Sequence, residues 1–165
     1  MAFPSTLRRL VIALNGYTGP EYFQCGAAIA PGEICTYDDA DEVKPCEEDL
    51  IPFGVIGCDA DHDLSTDYDA GERVPVYPLG CGVDIYVKLK DPTTIVVEMG
   101  DIIEVSDTAA YDGFGKVIDD YVAVTTDTGD ATGHAYTSRF WVGRAQEAGS
   151  ITSAVARFVP VKLSL

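Results

Sequence analysis

Alternating carboxylates at Asp59, Asp61 and Asp63, followed by Asp67 and Asp69, are the nearest approach to a chemical site in this sequence. That spacing opens calcium loops of the EF-hand type, in which alternate side chains turn toward the ion. Here Leu64 stands where the sharp turn needs glycine, and Ala70 where a bidentate glutamate should close the shell. Asp59, Asp61 and Asp63 are therefore metal candidates without a closing ligand, and the segment reads as a solvated acidic loop between two strands. Asp38, Asp39, Asp41 and Glu42 form a second acidic group, read as a hairpin tip. The two histidines, His62 and His134, stand in no recognisable motif and read as solvated surface residues. No nucleophile elbow, phosphate-binding loop, dinucleotide fingerprint or paired-histidine zinc motif is present. The reading is non-enzymatic: no catalytic residue and no cofactor is expected.

Cysteines offer little more. Cys25, Cys35, Cys46, Cys58 and Cys81 all fall in the first half, and no two are spaced C-x-x-C. An odd number at spacings near ten is neither a disulfide framework nor, without clustered histidines, a zinc site. Flanks such as Gly26-Ala27, Ile34, Gly57 and Gly80 suit small buried thiols filling a core, although disulfides within or between subunits stay open.

The charge excludes whole classes of partner. Acidic residues number 27 against 11 basic ones, giving −16 over 165 residues. Nucleic-acid binders need basic patches to displace counterions, and an anionic membrane surface repels such a chain as it repels DNA. Neither nucleic acid nor membrane is expected as a partner. Aspartate is frequent and lysine scarce, a bias that suits an environment where salt screens self-repulsion. The apolar run Leu10-Val11-Ile12-Ala13-Leu14 is too short to span a bilayer, and no clean cleavage site follows it.

These side chains must be carried by β structure. Short runs of Val, Ile, Tyr and Thr alternate with Gly, Pro and Asp, which predicts an all-β chain, a small barrel or sandwich. Strands are expected over 27–29, 33–37, 54–58, 74–77, 83–89, 94–98, 102–105, 121–125, 139–145 and 154–163. In Asp84-Ile85-Tyr86-Val87-Lys88-Leu89 polar and apolar residues alternate, the pattern of a half-buried strand. Helix is minor, with single turns conceivable within 101–111 and 47–49. The longest loop is expected over 127–138.

An internal repeat organises the rest. The first copy runs Ala28-Ile29-Ala30-Pro31-Gly32-Glu33-Ile34, then Val43-Lys44-Pro45, Phe53-Gly54-Val55 and Arg73-Val74-Pro75-Val76. The second runs Val96-Val97-Glu98-Met99-Gly100-Asp101-Ile102, then Gly115-Lys116-Val117, Val142-Gly143-Arg144 and Phe158-Val159-Pro160-Val161. Glycine in the first turn supplies a positive φ, and the acidic residue after it can accept from the turn backbone. Proline in the closing strand removes a ladder donor and predicts a sheet edge or a bulge. Two related β units in tandem follow, at 24–90 and 91–165, preceded by an N-terminal arm at 1–23. Phe3, Tyr17, Tyr22 and Phe23 of that arm are candidates for anchoring on a partner surface, since glycines and Pro20 break regular structure there, and packing back on their own barrel is the open alternative. Trp141 reads as core.

Several of these segments together resemble one family. Ala27-Ala28-Ile29-Ala30-Pro31-Gly32-Glu33-Ile34, Asp41-Glu42-Val43-Lys44-Pro45-Cys46, Pro52-Phe53-Gly54-Val55-Ile56-Gly57 and Ala70-Gly71-Glu72-Arg73-Val74-Pro75-Val76 are similar to the capsid decoration, or cement, proteins of tailed viruses. The resemblance is good over about 60 residues of the first half and loose in the second. It implies a small β-barrel on the outer capsid surface, often a homotrimer, binding the major capsid protein and stabilising the shell, with no catalytic residue to carry over. A strongly acidic chain belongs outside a shell packed with DNA, and the aspartate bias fits a virus of a salt-loving archaeon. The chain exceeds the family in size by the second unit, so a turret or tail-associated component is an open variant. A non-viral β-barrel binding or carrier module is another. Lys44-Pro45-Cys46 does not fit the modified-lysine hairpin of lipoyl-type carriers.

Overall fold

The computed structural model describes residues 19–39, 41–90, 95–118, 141–151 and 156–163. Every regular element among them is a strand: β1 (Glu21–Cys25), β2 (Ile34–Asp39), β3 (Glu42–Pro45), β4 (Gly54–Ile56), β5 (Arg73–Pro78), β6 (Asp84–Leu89), β7 (Ile95–Val97), β8 (Ile102–Val105), β9 (Gly115–Val117), β10 (Trp141–Ala145), β11 (Gly149–Ile151) and β12 (Arg157–Lys162). The turns conceived within 47–49 and 101–111 are not helical. The expected strand 121–125, the loop 127–138 and His134 lie outside the described residues.

Two closed five-stranded barrels follow one another, in the orders β1-β3-β2-β4-β5 and β10-β12-β6-β9-β8, and β7 pairs with β11 in a ribbon. The second barrel repeats the first strand for strand. β1 runs parallel to β3 and antiparallel to β5, as β6 runs parallel to β9 and antiparallel to β12. β2 pairs antiparallel with β3 and β4, as β8 does with β9 and β10. The aligned motifs occupy equivalent places, with Lys44 on β3 against Lys116 on β9 and Gly54 on β4 against Gly143 on β10. The duplication read from sequence is thus a duplication of topology.

The boundaries differ from those expected. β1 is a barrel strand, so Tyr22 and Phe23 do not belong to an arm. β6 hydrogen-bonds along six residue pairs to β12, which puts the junction at 79–83 instead of after residue 90. The repeat is also longer than it looks in sequence: aligning Pro75 with Pro160 sets Tyr22 against Tyr86, because each tyrosine faces that proline across its ladder.

One turn recurs. At Ala30–Glu33 the Glu33 N–H donates to the Ala30 carbonyl at 3.1 Å, and the Glu33 carboxylate accepts from the Ala30 N–H at 3.0 Å. Gly32 at the third position has φ +86°, the conformation a type II turn demands there, with Pro31 pre-setting the second. Glu98–Asp101 and Asp69–Glu72 repeat this geometry, with carboxylate-to-N–H distances of 2.7 Å in both. The acidic residue of each motif therefore caps its own turn, as its position after glycine predicts.

The closing prolines obey a different rule from the one expected. A closed barrel has no edge, and both prolines lie within one. Pairing of β4 with β5 stops at Ile56–Val76, and the next contact is the Gly57 N–H donating to the Pro75 carbonyl at 2.7 Å. Gln146 donates likewise to Pro160 at 2.8 Å, past the end of the β10 ladder. The missing N–H falls where pairing has already ended, so its loss costs no ladder bond.

The cores are not separate. Cys25, Ile29, Cys35, Val43, Ile56, Tyr68, Val74 and Val76 fill the first barrel. Ile34, Cys46 and Val55, on the outside of that barrel, join Val87, Leu89, Ile103, Val117 and Val161 in the core of the second. Backbone bonds seal this contact. In the first barrel the Gln24 N–H donates to the Asp41 carbonyl at 3.0 Å. At the equivalent place in the second barrel, Lys88 N–H donates instead to Gly32, and Ile34 N–H donates to Gly113, each at 2.7 Å. The Gly32–Ile34 segment of the first barrel is wedged between β6 and the chain leading into β9, whose own pairing is reduced to Leu89–Gly115.

Candidate functional site

The acidic loop does not gather its carboxylates around an ion. Asp59 Oδ1 accepts from the N–H groups of Asp61 and His62, both at 2.9 Å, and from His62 Nδ1 at 3.0 Å. Asp63 Oδ1 accepts from the Ser65 N–H at 2.8 Å and the Ser65 hydroxyl at 2.6 Å. Each carboxylate is turned back on its own backbone, the habit of aspartate in turns. Among the described residues no three His, Cys, Asp or Glu side chains converge as metal ligands.

His62 is not the solvated surface residue its sequence context suggests. Its ring stacks on the buried Tyr68 at 4.0 Å between centroids, and its Nε2 lies 3.4 Å from Glu72. It thereby ties the acidic loop to the Asp69–Glu72 turn. Burial works against protonation, but the Asp59 hydrogen bond and the charges of Asp59, Glu72 and Asp61 outweigh it, and the imidazole pKa is raised. For Asp59, burial is outweighed by the Asp61 and His62 N–H groups and the imidazole, so its pKa is lowered. A raised histidine contributes stability that is complete below its unfolded value and lost as pH rises through the folded one. A lowered carboxylate contributes stability present above its unfolded value and lost as pH falls through the folded one. The pair is therefore complete between about pH 4 and about pH 6.5, the ordinary values of the two groups. The His62 ring resonance is expected to titrate above the ordinary value in an NMR pH series, and His62→Gln is expected to remove the loss of loop protection on passing to alkaline pH. A titration midpoint at or below the ordinary value sinks this account.

The arm candidates separate. Phe3 and Tyr17 lie outside the described residues. Phe23 points into the mouth of the first barrel, where it packs edge-on to Tyr37 at 5.7 Å and to Phe53 at 5.2 Å. Tyr37 and Phe53 are themselves 4.2 Å apart. Three rings thus plug this mouth, while Val87 and Val105 hold the places of Phe23 and Tyr37 in the second barrel and are buried. Tyr22 points outward, 43% exposed, with Arg73 6.0 Å above its ring. Tyr86, its counterpart, is 50% exposed. Of the two sequence candidates among the described residues, Tyr22 presents an outward ring and Phe23 does not.

Cys25, Cys35 and Cys46 are core residues, whereas Cys58 and Cys81 are half-buried. Burial first, then the Glu72 charge, pushes Cys25 up to about 11, and burial with the Glu47 charge pushes Cys46 up to about 12. Burial likewise raises Cys35, Cys58 and Cys81. All five are free, with Cys58 and Cys81 the less buried. None is activated as a nucleophile would be.

Sequence reasoning missed two features. The first is the mouth plug, since Tyr37 and Phe53 look like ordinary strand residues until the barrel closes. The second is the Glu33–Lys88 ion pair across the barrels, at 3.0 Å with both side chains largely buried. Extending the repeat back by one strand would have flagged Tyr22 with Tyr86. A cleft beside the junction is lined by Glu47, Glu48, Asp49, Leu50, Ala109 and Asp112 and holds about 180 Å³, below the roughly 300–1,000 Å³ of small-molecule sites. Comparison with protein-family models finds no match, and comparison with curated proteins finds none either.

Proposed function

We propose that this chain is a structural virion protein, a capsid decoration protein that binds the outer face of the shell and stabilises it, with no enzymatic activity. The observation that carries the reading is where its family-like segments fall. Residues 41–46, 52–57 and 70–76 cover β3, β4 and most of β5 of one closed barrel, and 27–34 with 70–76 carry the capping residues of both its acid-capped turns. The family-like segments therefore fall within one folding unit, on three neighbouring strands and the two capped turns of the same barrel. The net charge of −16 supports a place outside packaged DNA, and it suits the high salt of a halophilic archaeal host. The major capsid protein is the proposed partner and a homotrimer the proposed form, with Tyr22 as an outward anchor on the first barrel.

The test is co-sedimentation with shells assembled from the major capsid protein of the same virus. Saturable pelleting with the shells, together with a higher temperature of shell rupture, is the expected result. The Tyr22→Ala chain is expected to bind at least about tenfold more weakly, the loss of one anchoring ring. Failure to pellet at any salt concentration would overturn the reading, and binding to tails but not shells would reassign the chain to a tail-associated component. Truncation should stop at residue 18, because removal of 1–23 cuts into β1.

A further inference from the structure

The contact between the two barrels is head to tail. The first barrel gives its Ala30–Glu33 turn, and the second receives it on the outer face of β6 and β12. Gly32 lies so close that a Cβ there would stand 2.8 Å from the Phe158 ring and 3.2 Å from the Tyr86 carbonyl. Glu33 uses one carboxylate oxygen to cap its own turn and the other to take Lys88 of the receiving face.

Because the barrels are copies, each contact surface has an unused twin. The second barrel carries the twin of the giving turn, Glu98–Asp101, with Met99 74% and neighbouring Val96 65% exposed. Asp101 caps that turn with Oδ2, and no cation pairs with it among the described residues. The first barrel carries the twin of the receiving face on β1 and β5, where Tyr22, Gln24 and Arg73 stand in the places of Tyr86, Lys88 and Phe158. All three are exposed. The cation has moved from one strand to its neighbour but remains on the receiving face.

We propose that a second copy of this chain docks here, its Glu98–Asp101 turn seated on Tyr22, Gln24 and Arg73 as the chain's own Ala30–Glu33 turn seats on Tyr86, Lys88 and Phe158. Met99 lies against the Tyr22 ring, a favourable sulfur–aromatic pairing, and Asp101 takes Arg73. The free surfaces are more polar than the buried ones, with Arg144 where the first barrel has Val55. In the single chain the Arg144 guanidinium covers the Gly100 carbonyl at 3.0 Å. Gln24 already donates its N–H to Asp41, so this contact rests on side chains and lacks the backbone wedge. Such an interface is weaker than the internal one and forms reversibly between folded chains. A contact of this kind is heterologous: it closes into a ring if the rotation permits and otherwise runs on as a filament. The inference stands whether or not a capsid is the partner.

Sedimentation velocity of the full chain from micromolar to millimolar concentration tests it, with Met99→Asp and Arg73→Glu as variants at exposed positions whose folding is checked by circular dichroism. The native chain is expected to self-associate, and each variant to weaken that by at least about tenfold. The decisive sample is a one-to-one mixture. Met99→Asp keeps an intact receiving face and Arg73→Glu an intact giving turn, so the mixture is expected to form two-chain particles and nothing larger. A native chain that stays monomeric throughout overturns the proposal. So does a variant that assembles like the native chain, or a mixture that forms no two-chain particle. One Tyr22 ring cannot serve a shell and a second copy at once, so the two contacts are expected to compete there. Shell binding is read separately by co-sedimentation, and Met99→Asp and Arg73→Glu leave Tyr22 in place.

Discussion

Replacement of Gly143 by alanine is expected to open the second barrel, at a cost above about 3 kcal/mol. A Cβ at this position would run into the Lys162 carbonyl, and the Val161 side chain lies 2.9 Å away. Neither neighbour can yield, because the carbonyl belongs to β12, which is held along its other side by six residue pairs to β6. The seam between β10 and β12 consists of Arg144–Lys162 and Ala145–Val161 alone, and a bulge just before Gly143 already breaks the β8 register. Trp141, the only tryptophan, sits two residues away and reports the opening by fluorescence during urea denaturation. Gly149→Ala is the control. Its nearest neighbour is the Arg157 guanidinium at 2.7 Å, the far end of a flexible side chain that can swing aside, so a change under about 1 kcal/mol is expected. Equal midpoints for Gly143→Ala and the native chain would refute the argument.

Truncating Glu33 to alanine is expected to cost about 2–4 kcal/mol and to loosen both barrels together. The substitution strips Lys88 of its partner in a largely buried setting and leaves the Ala30 N–H without an acceptor. The Phe114 ring, 5.2 Å from Lys88 Nζ, softens the loss without replacing a carboxylate. Most of the cost is that of an orphaned charge, so neutralising both partners is expected to recover much of it. Glu33→Gln combined with Lys88→Met should come within about 1.5 kcal/mol of the native chain in a double-mutant cycle. Additive losses in the cycle would show that the pair is not coupled.

The fold was legible where a local rule and a global one agree. Gly32-Glu33 and Gly100-Asp101 announce a turn whose third residue needs positive φ and whose fourth caps it, and both form as expected. Asp84–Leu89 shows its half-burial by alternation alone. β1 was missed because Gly19, Pro20 and Gly26 bracket it so closely that it reads as irregular chain. Nothing local to Glu21–Cys25 reveals that β3 and β5 flank it. The prolines misled because the edge rule presumes an open sheet, whereas a barrel also offers the stretch beyond a short neighbour's last pair. The acidic loop lacks two ligands of a calcium loop in its sequence, and in the structure Asp59 and Asp63 turn back on their own backbone. His62 was misjudged, since its partners Tyr68 and Glu72 come from the far side of the loop and are brought near only by the turn at Gly71.

The wedge of Gly32–Ile34 into the second barrel also imposes an order of events on the nascent chain. Every strand of the first barrel lies between Glu21 and Pro78, so that barrel can close while the remainder is still being synthesised. The second cannot. Its first strand, β6, must wait for β12, the last strand among the described residues, and meanwhile its opening pair with β9 is a single residue long. The finished first barrel is then a surface already able to hold β6, through the Lys88 N–H to Gly32. The first barrel, synthesised earlier, is thus expected to hold β6 docked through the wait for β12, where it would otherwise stand as an unpaired edge.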